Sequence, residues 1–260
     1  MAIVTGSIPG WEKVKFFYNH DLNESDTVLS STNSTNVENI YTRDESTYWI
    51  VSAAQTTAEI LLVPTGINTI TADYLAIGWH TLGTTGTTLK FQYNNGVSWV
   101  DLFDDITPED DITIIEEFSS INTSDGIKLT LTFDLGETPQ IGMAHWGEKT
   151  ELDYAASGFD PNARTIKNIR QINGNGYLNN ISTRYTERSC KIQINDVDTD
   201  IYDNILDWHE TVKRNLFFVG WETEKHSENK YIMRSKNGML SAPYSKNGLR
   251  NISIDLVGVV

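Results

Sequence analysis

The chain has 260 residues, of which 39% are hydrophobic and 10% aromatic, and its formal net charge is -15. This hydrophobic content is enough for one large β domain or two ordinary domains, and it argues against intrinsic disorder. No apolar run approaches the roughly 20 residues that cross a bilayer, and an acidic chain is poorly suited to binding the phosphates of nucleic acid. We therefore expect a globular protein without membrane insertion and without nucleic-acid base recognition.

The negative charge is concentrated in the first part of the chain. Residues 1–150 contain six Lys or Arg and 21 Asp or Glu, whereas residues 151–260 contain 14 of each. Such asymmetry indicates two units, and we place their boundary near residues 157–161. Cys190 is the single cysteine, so we expect neither an internal disulfide nor a multi-cysteine zinc site.

The first 40 residues divide into two parts. Residues 13–18 have the β-branched and aromatic content of a strand. Residues 19–39 are rich in Asn, Ser and Thr, a composition typical of a loop or a mobile arm.

Most of the remaining chain predicts β-structure. Apolar and polar residues alternate over residues 89–93, 127–134, 190–194 and 252–256, as in strands with one buried face. β-branched and aromatic residues predict further strands over 58–63, 74–79, 97–103, 112–117 and 141–146. The pair Asn95-Gly96 tolerates the positive φ angles of a tight turn, and it predicts a hairpin between residues 89–93 and 97–103.

One segment, residues 200–215, predicts a helix. Six residues recur on one face of it: Ile201, Tyr202, Ile205, Leu206, His209 and Val212. Thr199 is the expected N-cap, and acidic residues near the start and basic residues near the end suit the helix dipole.

These elements predict a mainly β protein: an N-terminal jelly-roll β-sandwich followed by a smaller α+β domain with one helix packed on strands. The expected segments are an N-terminal strand and arm (1–40), the sandwich (41–157) and the α+β domain (158–260).

The sequence offers little for catalysis. The five histidines are scattered and none has a metal-binding spacing, and the nucleophile-elbow and phosphate-loop motifs are missing. Cys190 alternates with Ile192 and Ile194, as a core residue would, and a buried free cysteine is usually inert. We expect no enzymatic activity and no cofactor.

An acidic tract over residues 101–117 contains eight Asp or Glu and no Lys or Arg. Calcium, which takes six or more oxygen ligands, would relieve the repulsion between these carboxylates, and a solvated loop is the alternative that we favour. The calcium ligands to test would be Asp104, Asp105, Asp110 and Asp111. Residues 196–200 begin like an EF-hand loop, but Ile201 stands where that loop needs glycine, so a helix start explains them better.

Aromatic residues on the predicted sandwich strands are a third candidate site. An exposed indole can stack on a sugar ring, although most tryptophans fill a core. The candidate carbohydrate-binding residues are Trp79, His80, Trp99 and Trp146.

Three stretches of the first unit, residues 73–79, 89–99 and 139–147, resemble a galactose-binding-like (discoidin-like) jelly roll. The similarity lies in a central hairpin of the form apolar-x-aromatic, Asn-Gly, x-Trp and in a late strand that closes the sandwich. This resemblance covers residues 40–150 and implies a sandwich that contacts host surface glycans.

The second unit resembles the tail-tube-like and distal-tail domains of tailed bacteriophages. The similarity rests on a helix followed at once by residues 216–221, then 231–233 and a C-terminal strand. It implies a non-enzymatic virion protein of a tail tip or baseplate, made in the host bacterial cytoplasm, which assembles as a ring with copies of itself and with neighbouring tail proteins. A carbohydrate-binding module is the alternative function, and the two are compatible.

Overall fold

The computed structural model describes residues 13–20, 22, 24–44, 46–152, 154–155, 159–160, 163–172, 178–213, 215–221, 223, 229–236, 238, 240–245 and 248–259. The chain divides into two compact units. The sandwich unit is Phe16–Thr150, and the α+β unit combines Met1–Lys15 with Glu151–Val260. The predicted boundary at residues 157–161 falls partly outside the described residues, and the sandwich unit begins earlier in the chain than the expected residue 41.

Every strand pair of known register is antiparallel, and the described residues contain one α-helix. The predicted fold class, a mainly β sandwich with a smaller α+β part, is confirmed. No helix among the described residues is both long and apolar enough to cross a bilayer. The strands in chain order are β1 (Lys15–Phe17), β2 (Thr27–Thr32), β3 (Ser34–Thr35), β4 (Trp49–Val51), β5 (Thr57–Pro64), β6 (Ile70–His80), β7 (Thr88–Asn94), β8 (Trp99–Asp101), β9 (Ile114–Thr123), β10 (Ile127–Thr132), β11 (Gln140–Gly147), β12 (Thr150–Glu151), β13 (Arg164–Ile172), β14 (Leu178–Val197), β15 (Phe217–Gly220), β16 (Lys230–Ser235) and β17 (Arg250–Val259).

The sandwich unit consists of two five-stranded sheets, with the orders β2-β5-β10-β7-β8 and β3-β4-β11-β6-β9. Their inner faces supply one hydrophobic core, in which the indole of Trp146 meets the ring of Phe91 edge to face at 5.6 Å. β10 shows why the sequence pattern is informative here: Ile127, Leu129 and Leu131 are buried, and the residues between them are partly exposed. Alternation therefore assigns one face of each strand to the core.

The expectation of a loop or mobile arm over residues 19–39 is wrong for part of that segment. β2 pairs with β5 over six residues, from Thr27 opposite Pro64 to Thr32 opposite Glu59. A 3₁₀ helix, Val37–Tyr41, follows and buries Ile40. The composition of this segment predicted a loop because β2 is an edge strand with half its residues exposed. Ser and Thr are as suitable on the exposed face of such a strand as they are in a loop.

The predicted hairpin between β7 and β8 is present. The amide of Asn95 donates to the carbonyl of Ser98 at 3.1 Å, and Gly96 has the positive φ of 87° that the turn requires. The side chain of Asn95 accepts from the amides of Val97 and Ser98, which fixes the turn. β8 is shorter than expected and begins at Trp99.

The α+β unit is built on a seven-stranded sheet with the order β12-β1-β15-β16-β17-β14-β13. The α-helix is α1 (Thr199–Val212), and it buries Ile205, Trp208 and Val212. The predicted apolar face of this helix did not include Trp208. The N-cap is Asp198, not the expected Thr199, because the Asp198 carboxylate accepts from the amide of Ile201 at 3.0 Å.

The longest strand, β14, extends beyond the residues that pair with β17. It pairs with β17 only from Glu187 onward, whereas β13 pairs with it from Leu178 to Arg188. Over residues 178–186, β14 therefore pairs only with β13 among the described residues. The two strands form a two-stranded ribbon there. We call this pair of segments, 166–172 and 178–186, the ribbon.

Candidate functional site

The outer face of the sheet that contains β8 is the best candidate site of the sandwich unit. It combines one partly buried indole with charged and amide side chains that interact with each other. We call this surface the Trp99 face, and it comprises Glu59, Lys90, Gln92, Trp99, Asp101 and Lys128.

Strand register brings these residues together. Lys128 of β10 lies opposite Gln92 of β7, and Gln92 lies opposite Asp101 of β8. The residues flanking Lys128 in sequence, Ile127 and Leu129, are buried in the core. Because side chains alternate along a strand, Lys128 and its neighbours across the sheet share the outer face.

A lysine links the indole to a carboxylate. The Lys128 Nζ lies 4.6 Å from the centroid of the Trp99 ring and 3.3 Å from Oε1 of Glu59. A cation over an indole is attracted by the negative face of the ring. The contact fixes Trp99 at the sheet edge while leaving it partly exposed.

The second half of the face centres on Asp101. Gln92 Nε2 donates to its Oδ1 at 2.7 Å, and Lys90 Nζ lies 3.2 Å from its Oδ2. The hydrogen bond from Gln92 and then that from Lys90 lower the pKa of Asp101, and the hydrogen bond to Asp101 raises the pKa of Lys90. Both groups are therefore charged at neutral pH, and each holds the other in place.

This arrangement suits a ligand that carries many hydroxyl groups. Each hydroxyl both donates and accepts, and the face offers carboxylate acceptors beside amide and ammonium donors. The indole adds a flat apolar surface on which the C–H face of a sugar ring can stack, since its π face is negative. The Trp99 face has the chemistry to bind a carbohydrate.

The structure separates the four predicted carbohydrate-binding residues. Trp99 is on the face just described. Trp79 is partly exposed at the end of β6, in the other sheet, and has a positive φ of 52°. No described contact brings Trp79 and Trp99 together.

The other two assignments are corrected. Trp146 is fully buried in the core and presents no surface to a ligand. His80 is 3% exposed, its Nε2 lies 2.7 Å from the carbonyl oxygen of Ile112, and its Nδ1 accepts from the amide of Leu82 at 3.2 Å. Burial lowers the pKa of His80, and both ring nitrogens are engaged, so this residue organises the loop after β6.

The acidic tract does not gather its carboxylates at one point. Asp111 accepts from the amide and hydroxyl of Thr84, Asp110 accepts from the amide of Ile112, and Asp105 lies 3.4 Å from Nζ of Lys90. Asp104 is exposed. Within the described ranges, no three His, Cys, Asp or Glu side chains are close enough together to hold a metal ion.

Cys190 is a packing residue, as its alternation predicts. It is 7% exposed, and its Sγ lies 3.7 Å from Sδ of Met233. Burial raises the pKa of its thiol to about 12, which makes the nucleophilic thiolate scarce.

Sequence reasoning missed most of the Trp99 face. Gln92 and Lys128 stood at the polar positions of strands predicted from alternation, so their outward direction was foreseeable, whereas the strand with Glu59 was predicted only from its residue content. The proximity of the three residues was not foreseeable, because it depends on the registers of β5, β10 and β7.

No protein-family model matches the chain, and no curated protein matches it. Solved structures with similar parts include a GH29 fucosidase from Ruminococcus gnavus in complex with fucose, at 17% identity and a TM-score of 0.43. The similar part makes up 52% of this chain and 28% of the fucosidase. A family 32 carbohydrate-binding module from C. perfringens in complex with galactose has 14% identity and a TM-score of 0.39, with 52% of this chain covering 99% of the module. A pectin-binding module has 17% identity and a TM-score of 0.35, over 48% of this chain and 91% of the module. None of these values assigns the chain to a family.

Proposed function

We propose that the sandwich unit is a non-enzymatic carbohydrate-binding module that contacts neutral glycans through the Trp99 face. The observation that carries the proposal is the partly exposed indole of Trp99, held by Lys128 beside the hydrogen-bonded group of Lys90, Gln92 and Asp101. Aromatic surface next to fixed polar groups is the usual composition of a small-ligand site.

Charge decides which glycans are favoured. The sandwich unit contains four basic residues, Arg43, Lys90, Lys128 and Lys149, and 20 acidic ones. An anionic polysaccharide would meet a repulsive field, and this repulsion weakens as salt screens it. The proposal is therefore restricted to neutral sugars.

The test is a screen of the whole protein against immobilised neutral and anionic glycans, followed by titration with the best neutral binder. Trp99→Ala is expected to weaken binding at least about tenfold, as loss of a central aromatic contact does. Val97→Ala is the matched control, because Val97 is 93% exposed in the adjacent turn and outside the face. Absence of any neutral binder, or equal affinity of the wild type and Trp99→Ala, would contradict the proposal.

The ribbon supports a second candidate function, assembly into a larger structure. An isolated pair of strands is marginally stable in water, and unpaired strand edges are templates for another chain. We propose that the ribbon pairs with a second copy of the protein in a closed ring, in line with the virion tail or baseplate role that the sequence resemblance implies.

The test of assembly is the mass of the full chain in solution, measured by light scattering over a wide concentration range, with negative-stain images of the same fractions. A discrete oligomer with ring-shaped particles is expected. A monomer at every concentration would contradict self-assembly and would leave the glycan-binding proposal standing.

A further inference from the structure

Trp79 has an unusual backbone conformation. Its φ is 52°, and among the described residues it is the only aromatic residue with a positive φ. A bulky side chain rarely adopts this left-handed region, because its Cβ crowds the backbone, and the conformation costs folding free energy. Such a residue persists only where the surrounding structure imposes it, and strained residues cluster at functional sites.

The residues around Trp79 impose this conformation. Gly78 lies opposite Met143 and His80 opposite Ile141 in the ladder between β6 and β11. His80 is fixed by the two hydrogen bonds described above, and the amide of Thr81 donates to the carbonyl of Gln140 at 3.1 Å. The chain is thus held on both sides of Trp79.

The conformation keeps a large aromatic residue out of the core. Leu75 and Ile77 are buried in the core, and regular alternation would place residue 79 with them. Trp79 is instead partly exposed and does not belong to the core cluster. The strain therefore does not contribute to core packing.

Gly142 allows a second aromatic ring to approach the same point. A Cβ at position 142 would lie 3.0 Å from Cβ of Trp79 and 3.2 Å from Cε1 of Tyr48, both closer than ordinary van der Waals contact. Trp79 and Tyr48 are both partly exposed, and both lie close to this glycine. Two aromatic side chains beside a residue without a side chain form a surface on which a ring can lie.

We propose that Trp79 and Tyr48 form a second sugar-binding surface of the sandwich unit, which takes the apolar face of a neutral pyranose. This inference rests on the proposed carbohydrate-binding function and adds a site to it. Trp79 is on β6 and Trp99 is on β8, which belong to the two different sheets of the sandwich unit. The two surfaces are therefore tested as separate sites.

The experiment is NMR titration of the ¹⁵N-labelled full chain with three neutral disaccharides, lactose, cellobiose and N,N′-diacetylchitobiose. The indole N–H resonances of Trp79 and Trp99 are assigned by substitution. We expect the Trp79 resonance to shift with at least one disaccharide, both in the wild type and in Trp99→Ala. A shift of the Trp99 resonance alone would overturn the second surface but not the proposed function, whereas no shift of either resonance would overturn both.

Two variants distinguish binding from a structural role. In Trp79→Gly the strain is relieved, because glycine adopts a positive φ without cost. We expect this variant to unfold at a temperature no lower than the wild type, to keep the shift at Trp99 and to lose the disaccharide-induced shift that the wild type shows at the backbone amide of Tyr48. A lower unfolding temperature together with loss of both shifts would show that Trp79 is structural and would overturn the inference.

Gly142→Ala tests the same surface by adding a methyl group at the glycine next to Trp79 and Tyr48. The added methyl group would crowd Cβ of Trp79 and Cε1 of Tyr48, which would have to move by a few tenths of an ångström, so we expect the disaccharide-induced shift of the Trp79 resonance to become smaller while that of Trp99 is unchanged. An unchanged shift at Trp79 in this variant would contradict the arrangement.

Discussion

The ammonium group of Lys128 lies between the indole of Trp99 and the carboxylate of Glu59, 4.6 Å from the ring centroid and 3.3 Å from Oε1. The Lys128 side chain is 17% exposed, so its charge is partly shielded from water. A lysine in this position both orients the indole and supplies a donor beside it. Its removal is therefore expected to affect ligand binding more than folding.

We predict that Lys128→Met lowers the free energy of unfolding by no more than about 1 kcal/mol, because partly exposed ion pairs and cation–π contacts contribute about that much. Met retains the apolar stem of the side chain. Neutral-glycan affinity should fall severalfold, because Trp99 loses its anchor. Chemical denaturation and glycan titration measure the two effects, and Lys191→Met on the exposed side of β14 is the control. A large loss of stability with unchanged affinity would refute this assignment.

Stability should fall in acid because of two adjacent buried histidines. His20 and His145 are both buried, and their ring centroids are 4.2 Å apart. Burial, and then the charge of Arg43, lowers the pKa of His20 to about 3, and burial also lowers the pKa of His145 well below its usual value. The unfolded chain therefore takes up protons from about pH 6.5 downward, whereas the folded chain does not.

The stability contributed by each neutral histidine is complete above about pH 6.5 and declines as the pH falls below that value, and for His20 it is lost as the pH approaches about 3. Denaturant unfolding between pH 7 and pH 4 should show this decline, with a slope of up to about 1.4 kcal/mol per pH unit for each histidine. His20→Gln, which takes up no proton, should decline less steeply. Equal slopes in the two proteins would show that other groups cause the acid sensitivity.

Cys190 is expected to be unreactive in the folded protein. A pKa of about 12 in place of 9.0 reduces the thiolate fraction at neutral pH roughly a thousandfold, and burial of the sulfur restricts access further. Ellman's reagent should label the native protein very slowly and the protein in guanidinium chloride at once. Rapid labelling under native conditions would mean that β14 opens locally or that Cys190 is not buried.

The start of α1 offers a matched pair of substitutions. Asp198→Ala removes the carboxylate that accepts from the Ile201 amide, and we expect it to lower the free energy of unfolding by about 1 kcal/mol. Thr199→Ala should change it far less, since Thr199 is exposed and is the first residue of the helix. Thermal denaturation of both variants checks this. A larger loss of stability in Thr199→Ala than in Asp198→Ala would mean that Thr199 is the N-cap, as the sequence predicted.

Much of the β-structure was predictable because alternation reflects a physical asymmetry between a buried and an exposed face. β10 and the hairpin between β7 and β8 follow directly from it. β2 could not be recognised, since a polar edge strand and a loop share one composition. The backbone conformation of Trp79 could not be predicted from the sequence either. It results from the pairing of β6 with β11 on both sides of Trp79 and from Gly142, 63 positions later in the chain.

The division of the chain depends on a contact that no local pattern reveals. Leu152 donates its amide to the carbonyl of Val14 at 2.9 Å, so two residues of the α+β unit that are far apart in sequence lie side by side. The chain leaves that unit and returns to it at neighbouring points. Residues 18–149 are thus an insertion between two neighbouring strands of the seven-stranded sheet, β1 and β12, and a short linker in their place would keep the strand order of that sheet.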